Sequence, residues 1–460
     1  MTTLVGGAAT LADRVDGKVF VPGDAGYDEA RSVFNAMIDR RPAALVEVTS
    51  DADVVAVVNF ARENDLRIAV RAGGHHVAGY AVVDDGVVID LRGLKSIVVD
   101  AAERTVKVEA GVLWGELDAA TQEHGLAVTG GRVTTTGVAG LCLGSGSGWL
   151  ERMQGLTSDN LIGARVVTAD GRVVTASEQE NPDLFWALHG GGGNFGIVTE
   201  FEFRLRPVGP MIFGGLLAWP RARAGEVLRA FRSFMVAAPD EVGGAFAFLT
   251  APPEPFVPLE AQGQPAVGII VAYFGDPGNG PSAYKPLLDL DPVVAMVDQM
   301  PYVALQQLID DPNPPGNYNY WKAEFLDELS DDAVDTLIEH ANRISSPLTQ
   351  LLLLPGGGEY ARFDQAKTLL GNRQSQWNFH ALGVWSDAAE SDTHIAWARD
   401  LAEAMRPHAT SGAYPNFSSD TGTERAKWSY GDRYDRLVAV KRVWDPANLF
   451  QVNHNIDPAG

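Results

Sequence analysis

Two glycines followed by two histidines stand in Ala69-Val70-Arg71-Ala72-Gly73-Gly74-His75-His76-Val77-Ala78-Gly79, the segment whose residue types best suit chemistry. Gly73 and Gly74 lack a Cβ, so the backbone there can turn with positive φ and press close to a ligand. Consecutive N–H groups in such a turn form an anion-binding concavity. His75 then sets a nucleophilic ring nitrogen beside whatever the concavity holds. Taken alone, the segment reads equally well as a strand-to-turn junction with two surface histidines. Two further glycine-rich loops, 130–148 and 190–196, shift the balance. Three such loops in one half of a chain, with few cations nearby, suit a large, extended polyanionic cofactor held by backbone N–H groups.

Other chemistries fit poorly. Gly144-Ser145-Gly146-Ser147-Gly148 lacks the third glycine of G-x-G-x-x-G. Gly191-Gly192-Gly193-Asn194-Phe195-Gly196 has the letters, but a helix precedes it and a strand follows, the reverse of a dinucleotide-binding turn. Glycine, not serine, is central in the 144–148 run, so it is no nucleophile elbow. The nine histidines include no H-E-x-x-H, and no metal site is expected. Cys142, the single cysteine, rules out an internal disulfide.

The elements that must position these loops are legible in outline. A chain of 460 residues, 46% hydrophobic and 21% charged, implies a globular protein of roughly two to three domains. Its net charge of −23 argues against nucleic acid and anionic membranes as partners. No apolar run reaches the ~20 residues of a bilayer span. Met1–Val21 lacks a basic flank and apolar core, so no signal peptide is expected and the cytoplasm is the expected location. Residues 43–70 read as strand, helix, strand, and 87–113 as three short β-rich runs. A helix over 113–125, a hairpin about Asp170-Gly171, a helix over 182–189 and a strand over 197–205 follow. After Pro207 come apolar strands at 211–220, 242–250 and 266–274, with a helix over 224–236. Helices over 331–344, 361–371 and 390–405 and strands at 349–354 and 377–386 complete an α+β unit. A last helix over 432–443 leads to the tail Asn453-His454-Asn455-Ile456.

Several blocks in order resemble the berberine-bridge-enzyme-like oxidases, a branch of the vanillyl-alcohol-oxidase-type flavoproteins with a PCMH-type FAD-binding fold. They are Arg71-Ala72-Gly73-Gly74-His75, Thr136-Gly137-Val138-Ala139-Gly140-Leu141, Gly155-Leu156-Thr157-Ser158-Asp159-Asn160 and Asp183-Leu184-Phe185-Trp186-Ala187-Leu188. Gly193-Asn194-Phe195-Gly196-Ile197-Val198-Thr199 and the tail continue the likeness, which covers nearly the whole chain. It implies an α+β fold of two domains. Residues 1–207 with 415–460 would bind FAD, and 208–414 would form a substrate domain containing an antiparallel sheet. By this resemblance His75 is the residue joined to the flavin 8α-methyl, while Arg71, Ala72, Gly73 and Gly74 wrap the pyrophosphate. His76 and Gly79 belong to the same loop, and Thr136, Gly137, Gly140 and Gly144 to the second. Ile197 and Val198 would meet the adenine end, and Asn453 and Asn455 would return to the flavin. Many relatives carry a second flavin link from a cysteine at the position of Val133 here, so a single attachment through His75 is expected. Cys142 is expected to pack as a small hydrophobe.

The activity implied is that of an FAD-dependent oxidase. Hydride would pass from an alcohol, phenol-type or amine substrate to flavin N5, and O₂ would restore the flavin, releasing H₂O₂. Tyr414 and Tyr320 are the candidate bases for the substrate proton, ahead of His454. Thr136 is the candidate for steering oxygen chemistry at the flavin. In the strand where a relative handles a nicotine-like amine, this chain reads Thr349-Gln350-Leu351-Leu352-Leu353-Leu354, without Lys or Glu, which disfavours such amines. A dehydrogenase or an oxygenating or rearranging enzyme on the same fold stays open, as does a non-catalytic flavin-binding protein. Nothing in the residues specifies an oligomeric state.

Overall fold

The computed structural model describes residues 10–410, 412 and 414–460. Strand β1 (Lys18–Phe20) pairs antiparallel with β2 (Ala44–Glu47). Helix α1 (Asp51–Glu63) starts at Ser50, whose hydroxyl accepts the Asp53 N–H, and buries Val54, Val57, Val58 and Ala61 at helical spacing. It is the crossover that lets β2, β3 (Ile68–Arg71) and β4 (Val87–Asp90) lie parallel, in the order β1-β2-β4-β3. Strand β3 ends where the first glycine loop begins, so the loop leaves from the C-terminal edge of a parallel sheet.

Next come β5 (Ile97–Asp100), β6 (Thr105–Glu109), the two-residue β7 (Leu126–Ala127) and the short helix α2 (Val138–Leu143). Strands β8 (Leu161–Val167), β9 (Val173–Ala176) and β10 (Ile197–Arg204) complete a five-stranded antiparallel sheet, β5-β6-β10-β8-β9. Strand β11 (Arg206–Pro207) pairs back onto β7.

The remainder is dominated by one antiparallel sheet. Its strands are β12 (Met211–Pro220), β13 (Val242–Thr250), β14 (Pro265–Tyr273), β15 (Val294–Pro301), β16 (Tyr318–Leu326), β17 (Gln350–Pro355) and β18 (Trp377–Trp385), in the order β15-β12-β14-β13-β17-β18-β16. Helices α3 (Ala224–Ala237), α4 (Asp331–Ala341) and α5 (Ser391–Met405) cover one face. Phe231, Leu337, Leu401, Leu351, Leu353 and Phe379 form the core between them. Trp149 and Leu150 pack against Ala245, Ile270 and Leu354 from the opposite face, so the two halves share an apolar seam. The closing helix α6 (Tyr434–Trp444) returns to the first half, where Leu437, Val438, Phe450 and Ile456 join its core. Two cores and an antiparallel seven-stranded sheet make this the two-domain α+β architecture anticipated above.

Differences lie in local detail. The helix expected over 361–371 is a single turn, Gly358–Arg362, then a 3₁₀ turn, Gln365–Lys367. Phe363 is extended between them, and the Asp364 carboxylate accepts the Ala366 N–H, starting a new turn instead of continuing the old one. Strands β15 and β16 were not anticipated. Strand β15 is an edge strand with exposed Ala295, Met296, Asp298 and Gln299, so it lacks the two-residue alternation that marks a strand. Among the described residues no helix is long and apolar enough to cross a membrane.

Candidate active site

A cavity with about 1920 Å³ of atom-free space, counting its open mouth, runs between the glycine loops and the face of the seven-stranded sheet opposite its helices. Backbone makes its first wall. A Cβ on Gly73 would stand 2.3 Å from the Gly137 nitrogen, and one on Gly137 would stand 2.4 Å from the Gly73 nitrogen. The first two glycine loops therefore cross main chain to main chain, at a distance that excludes side chains. Gly140 and Gly193 also line the cavity, and, their own chain neighbours and helix backbone aside, no atom among the described residues lies within 4 Å of where their Cβ would stand. A cradle with such bare places, and apolar Ile68, Val70, Leu91, Ile197 and Val198 at one end, has the form a dinucleotide flavin requires. Among the described residues no group of three or more His, Cys, Asp or Glu could hold a metal.

Imidazoles crowd the middle of the slot. The His75 ring stacks on Phe34 at 4.4 Å, and its Nε2 lies 2.8 Å from the Thr135 hydroxyl. Burial pushes its pKa down to about 4, so the ring is neutral at pH 7. His76 and His454 both bring Nε2 to the Pro415 carbonyl, at 3.3 and 3.1 Å, so each carries its proton on Nε2. Their remaining nitrogens accept, His76 Nδ1 from the Ala78 N–H and His454 Nδ1 from the Tyr80 hydroxyl at 3.4 Å. Burial lowers these two as well, to about 3 and about 4. Tyr430 lines the same space and donates to the Gly190 carbonyl at 3.1 Å.

The second wall follows from strand periodicity. Along β17, Leu351 and Leu353 pack under the helices, while Gln350, Leu352 and Leu354 face the cavity. On β18, Phe379 and Ala381 take the helix side, leaving His380 and Leu382 with the cavity. His380 is sandwiched between Phe417 at 4.2 Å and the edge of Trp321 at 5.2 Å, and its Nε2 has no hydrogen-bond partner. Burial, with the Arg132 charge adding, drives its pKa down to about 3. Arg132 lies over Trp149 at 4.8 Å, donates to Ser147 Oγ at 2.8 Å and pairs with Glu151 at 3.3 Å. Ser147 in turn donates to the other Glu151 oxygen at 2.5 Å. The Glu151 carboxylate is thus already matched by a cation and a hydroxyl.

Among the residues singled out from sequence, Ala72, Gly73, Gly74, His75, His76, Thr136, Gly137, Gly140, Gly144, Ile197, Val198 and Asn453 all line this one cavity. Five others do not. The Arg71 guanidinium turns back to donate to the Ala30 carbonyl, so the residue buttresses the loop from behind. Gly79, at φ +74°, closes the following turn, where a Cβ would strike the Ile38 side chain at 2.7 Å. Asn455 lies in a neighbouring surface cleft beside Asn453. Tyr320 sits one residue out of phase with Trp321, so the pleat sends it to the helix face. There it donates to Asp420 at 2.9 Å and accepts from Arg399 at 3.0 Å. The Tyr414 hydroxyl is buried behind the cavity, accepting the Ser147 N–H at 2.7 Å. Neither tyrosine is placed to take a substrate proton; Tyr80 and Tyr430 are the tyrosines that line the slot. Cys142 is fully buried and its thiol pKa is raised by burial, while Val133 lines the cavity. Thr135, Arg132, Trp321 and His380 escaped the sequence reading, although two-residue periodicity from Leu352 would have flagged the second wall.

Known proteins with this arrangement are numerous. Residues 42–177 match the FAD binding domain family, and residues 413–457 the berberine and berberine like family. An FAD-linked oxidoreductase of Dictyostelium discoideum is 31% identical over 459 residues, covering 97% of this chain and 96% of that protein. The (R)-6-hydroxynicotine oxidase of Paenarthrobacter nicotinovorans is 31% identical over 463 residues, covering 97% and 98%. In three dimensions the chain is similar to 6-hydroxy-D-nicotine oxidase from Arthrobacter nicotinovorans, with a TM-score of 0.86, 29% identity and coverage of 96% and 98%. Physcomitrella patens BBE-like 1 gives a TM-score of 0.87 at 26% identity, with 97% of each chain covered. With two relatives matched end to end above 30% identity, both family segments present and a glycine-lined slot of the right form, the chain belongs to the berberine-bridge-enzyme-like FAD-linked oxidoreductases.

Proposed function

We propose that this protein is an oxidase of an uncharged, ring-bearing alcohol or phenol, with FAD bonded through His75 alone. When bound, FAD supplies the two-electron acceptor that takes hydride from substrate and gives the electrons to O₂. The observation that carries the reading is the pairing of walls: glycine loops with a neutral histidine on one side, an aromatic and aliphatic sheet face on the other. Residues 1–207 and 415–460 hold the cofactor in this account, and 208–414 meets the substrate.

The chain's own residues do three things. Trp321, Phe417, Leu352 and Leu382 exclude water and accept a flat apolar body. The Arg132 charge, although paired with Glu151, is felt at His380, and there it favours an oxygen gaining negative charge over a cationic amine. His380, neutral and with Nε2 unpartnered, offers a hydroxyl group a hydrogen-bonding nitrogen, donor or acceptor according to the ring's tautomer. The lack of an unmatched carboxylate on this wall supports alcohols and phenols over amines. Val133, where a second thiol link would start, supports one covalent tether.

The test is a panel of aromatic alcohols, phenols and amines mixed anaerobically with purified protein, followed by admission of air. Bleaching at 450 nm by alcohols or phenols, then one H₂O₂ per substrate oxidised, is the expected result. Bleaching without peroxide on aeration identifies a dehydrogenase instead, and bleaching by amines alone overturns the substrate reading.

A further inference from the structure

We propose that Thr135 is the positioning residue that decides which nitrogen of His75 bonds to the flavin, a proposal resting on the covalent reading given above. The imidazole is held on two sides. Phe34 stacks on its face with an interplanar angle of 20°, and Thr135 Oγ1 meets Nε2 at 2.8 Å. The ring makes no other hydrogen bond among the described residues, which leaves Nδ1 free. Thr135 owes its place to the crossing of the two glycine loops: its carbonyl lies 3.1 Å from where a Gly73 Cβ would stand. A side chain on Gly73 or Gly137 would part the loops and carry the hydroxyl away from the histidine.

A neutral imidazole has one N–H and one lone pair. The proposal assigns the proton to Nε2, donating to Thr135 Oγ1, so that the lone pair falls on Nδ1, the nitrogen with no partner. Attachment then balances as follows. The Nδ1 lone pair forms a bond to the flavin 8α carbon, and one C–H bond of that carbon breaks. Its proton leaves to water, and the electron pair passes to the flavin ring and on to O₂. The Nε2 proton also leaves, through the threonine hydroxyl, so O₂ becomes H₂O₂ and the attached ring ends neutral. The same hydroxyl can then donate back to Nε2, keeping the ring in place.

Purified holoenzyme variants test this by total flavin absorbance, by the fraction of flavin that stays with acid-precipitated protein, and by NMR of the flavin peptide to identify the linked nitrogen. Thr135→Val removes the hydroxyl at constant shape. It is expected to bind FAD yet lower the rate of covalent attachment about tenfold, the worth of one hydrogen bond, and to yield some Nε2 linkage. Thr135→Ser is expected to restore wild-type attachment through Nδ1. If valine blocks FAD entry, the smaller Thr135→Ala takes its place with the same expected outcome. Wild-type rate and pure Nδ1 linkage in the hydroxyl-free variants, or failure of serine to restore them, overturns the proposal. Covalent flavin persisting in His75→Ala would instead overturn the attachment reading beneath it.

Discussion

The Asn194 side chain donates to the His454 carbonyl at 3.1 Å across 260 residues of sequence, and its oxygen accepts the Ile456 amide at 3.0 Å. Lys441 reinforces this junction, fully buried, pairing with Asp445 at 2.7 Å and donating to the Asn194 and Phe450 carbonyls. The third glycine loop and the tail are therefore one body, and Asn453 and His454 line the cavity because Asn194 holds them there. Truncation after Phe450 is expected to lower the flavin-to-protein ratio severalfold, although nearly the whole chain remains. Asn194→Ala leaves buried polar groups unpaired, at about 1–3 kcal/mol, and should lower the ratio in the same direction. Absorbance at 450 nm relative to 280 nm checks both.

Gly140 separates cofactor binding from folding. It lies within helix α2, where alanine is favoured over glycine by about 1 kcal/mol. Its missing Cβ would project into open cavity. Gly140→Ala is therefore expected, as apoprotein produced without flavin, to melt no lower than wild-type apoprotein, yet to take up FAD more weakly. Thermal melts with and without added FAD read both effects.

Thr136 lines the cavity, and its backbone is already committed, the N–H to the Val133 carbonyl and the carbonyl to the Trp114 N–H. On the oxidase reading proposed above, its hydroxyl is the candidate donor to an oxygen anion developing at the flavin. Thr136→Val is expected to slow reoxidation by O₂ by up to about 10²-fold, with anaerobic reduction by substrate unchanged. Stopped-flow traces of the two half-reactions make the comparison.

Acid should weaken the fold through its buried imidazoles. His380 and His454 are neutral when folded, with pKa values lowered by burial to about 3 and about 4. In the unfolded chain they titrate near 6.5, so below that pH the unfolded state binds more protons and stability falls. The loss levels off only near the folded values. From pH 7 to pH 5 it amounts to about 2 kcal/mol per histidine at most. His380→Phe keeps a ring between Trp321 and Phe417 but cannot charge, so its melting temperature should fall less over this interval than that of wild type.

Local chemistry was legible in the sequence, and side-chain direction was not. Gly73 and Gly137 announce a close backbone approach because no other residue permits it, Gly74 a turn at positive φ, and His75 follows directly. Tyr320 misled because its facing depends on the phase of β16 against β18, and Tyr318–Leu326 carries no clean alternation to reveal that phase. Thr135 and Thr136 differ by one residue in a turn, and only the crossing of the loops decides which meets His75. Arg71 reads as an anion ligand beside two glycines, yet the last residue of a strand can send its side chain behind the sheet. The second wall draws on residues from Arg132 to Phe417, brought together only when the strands pair.

Acid denaturation of the purified protein tests the central claim most directly. Trichloroacetic acid should give a yellow pellet carrying one flavin per chain, colourless for His75→Ala and still yellow for Cys142→Ser. Flavin released wholly into the supernatant by the wild-type protein, or retained by His75→Ala, would contradict the account.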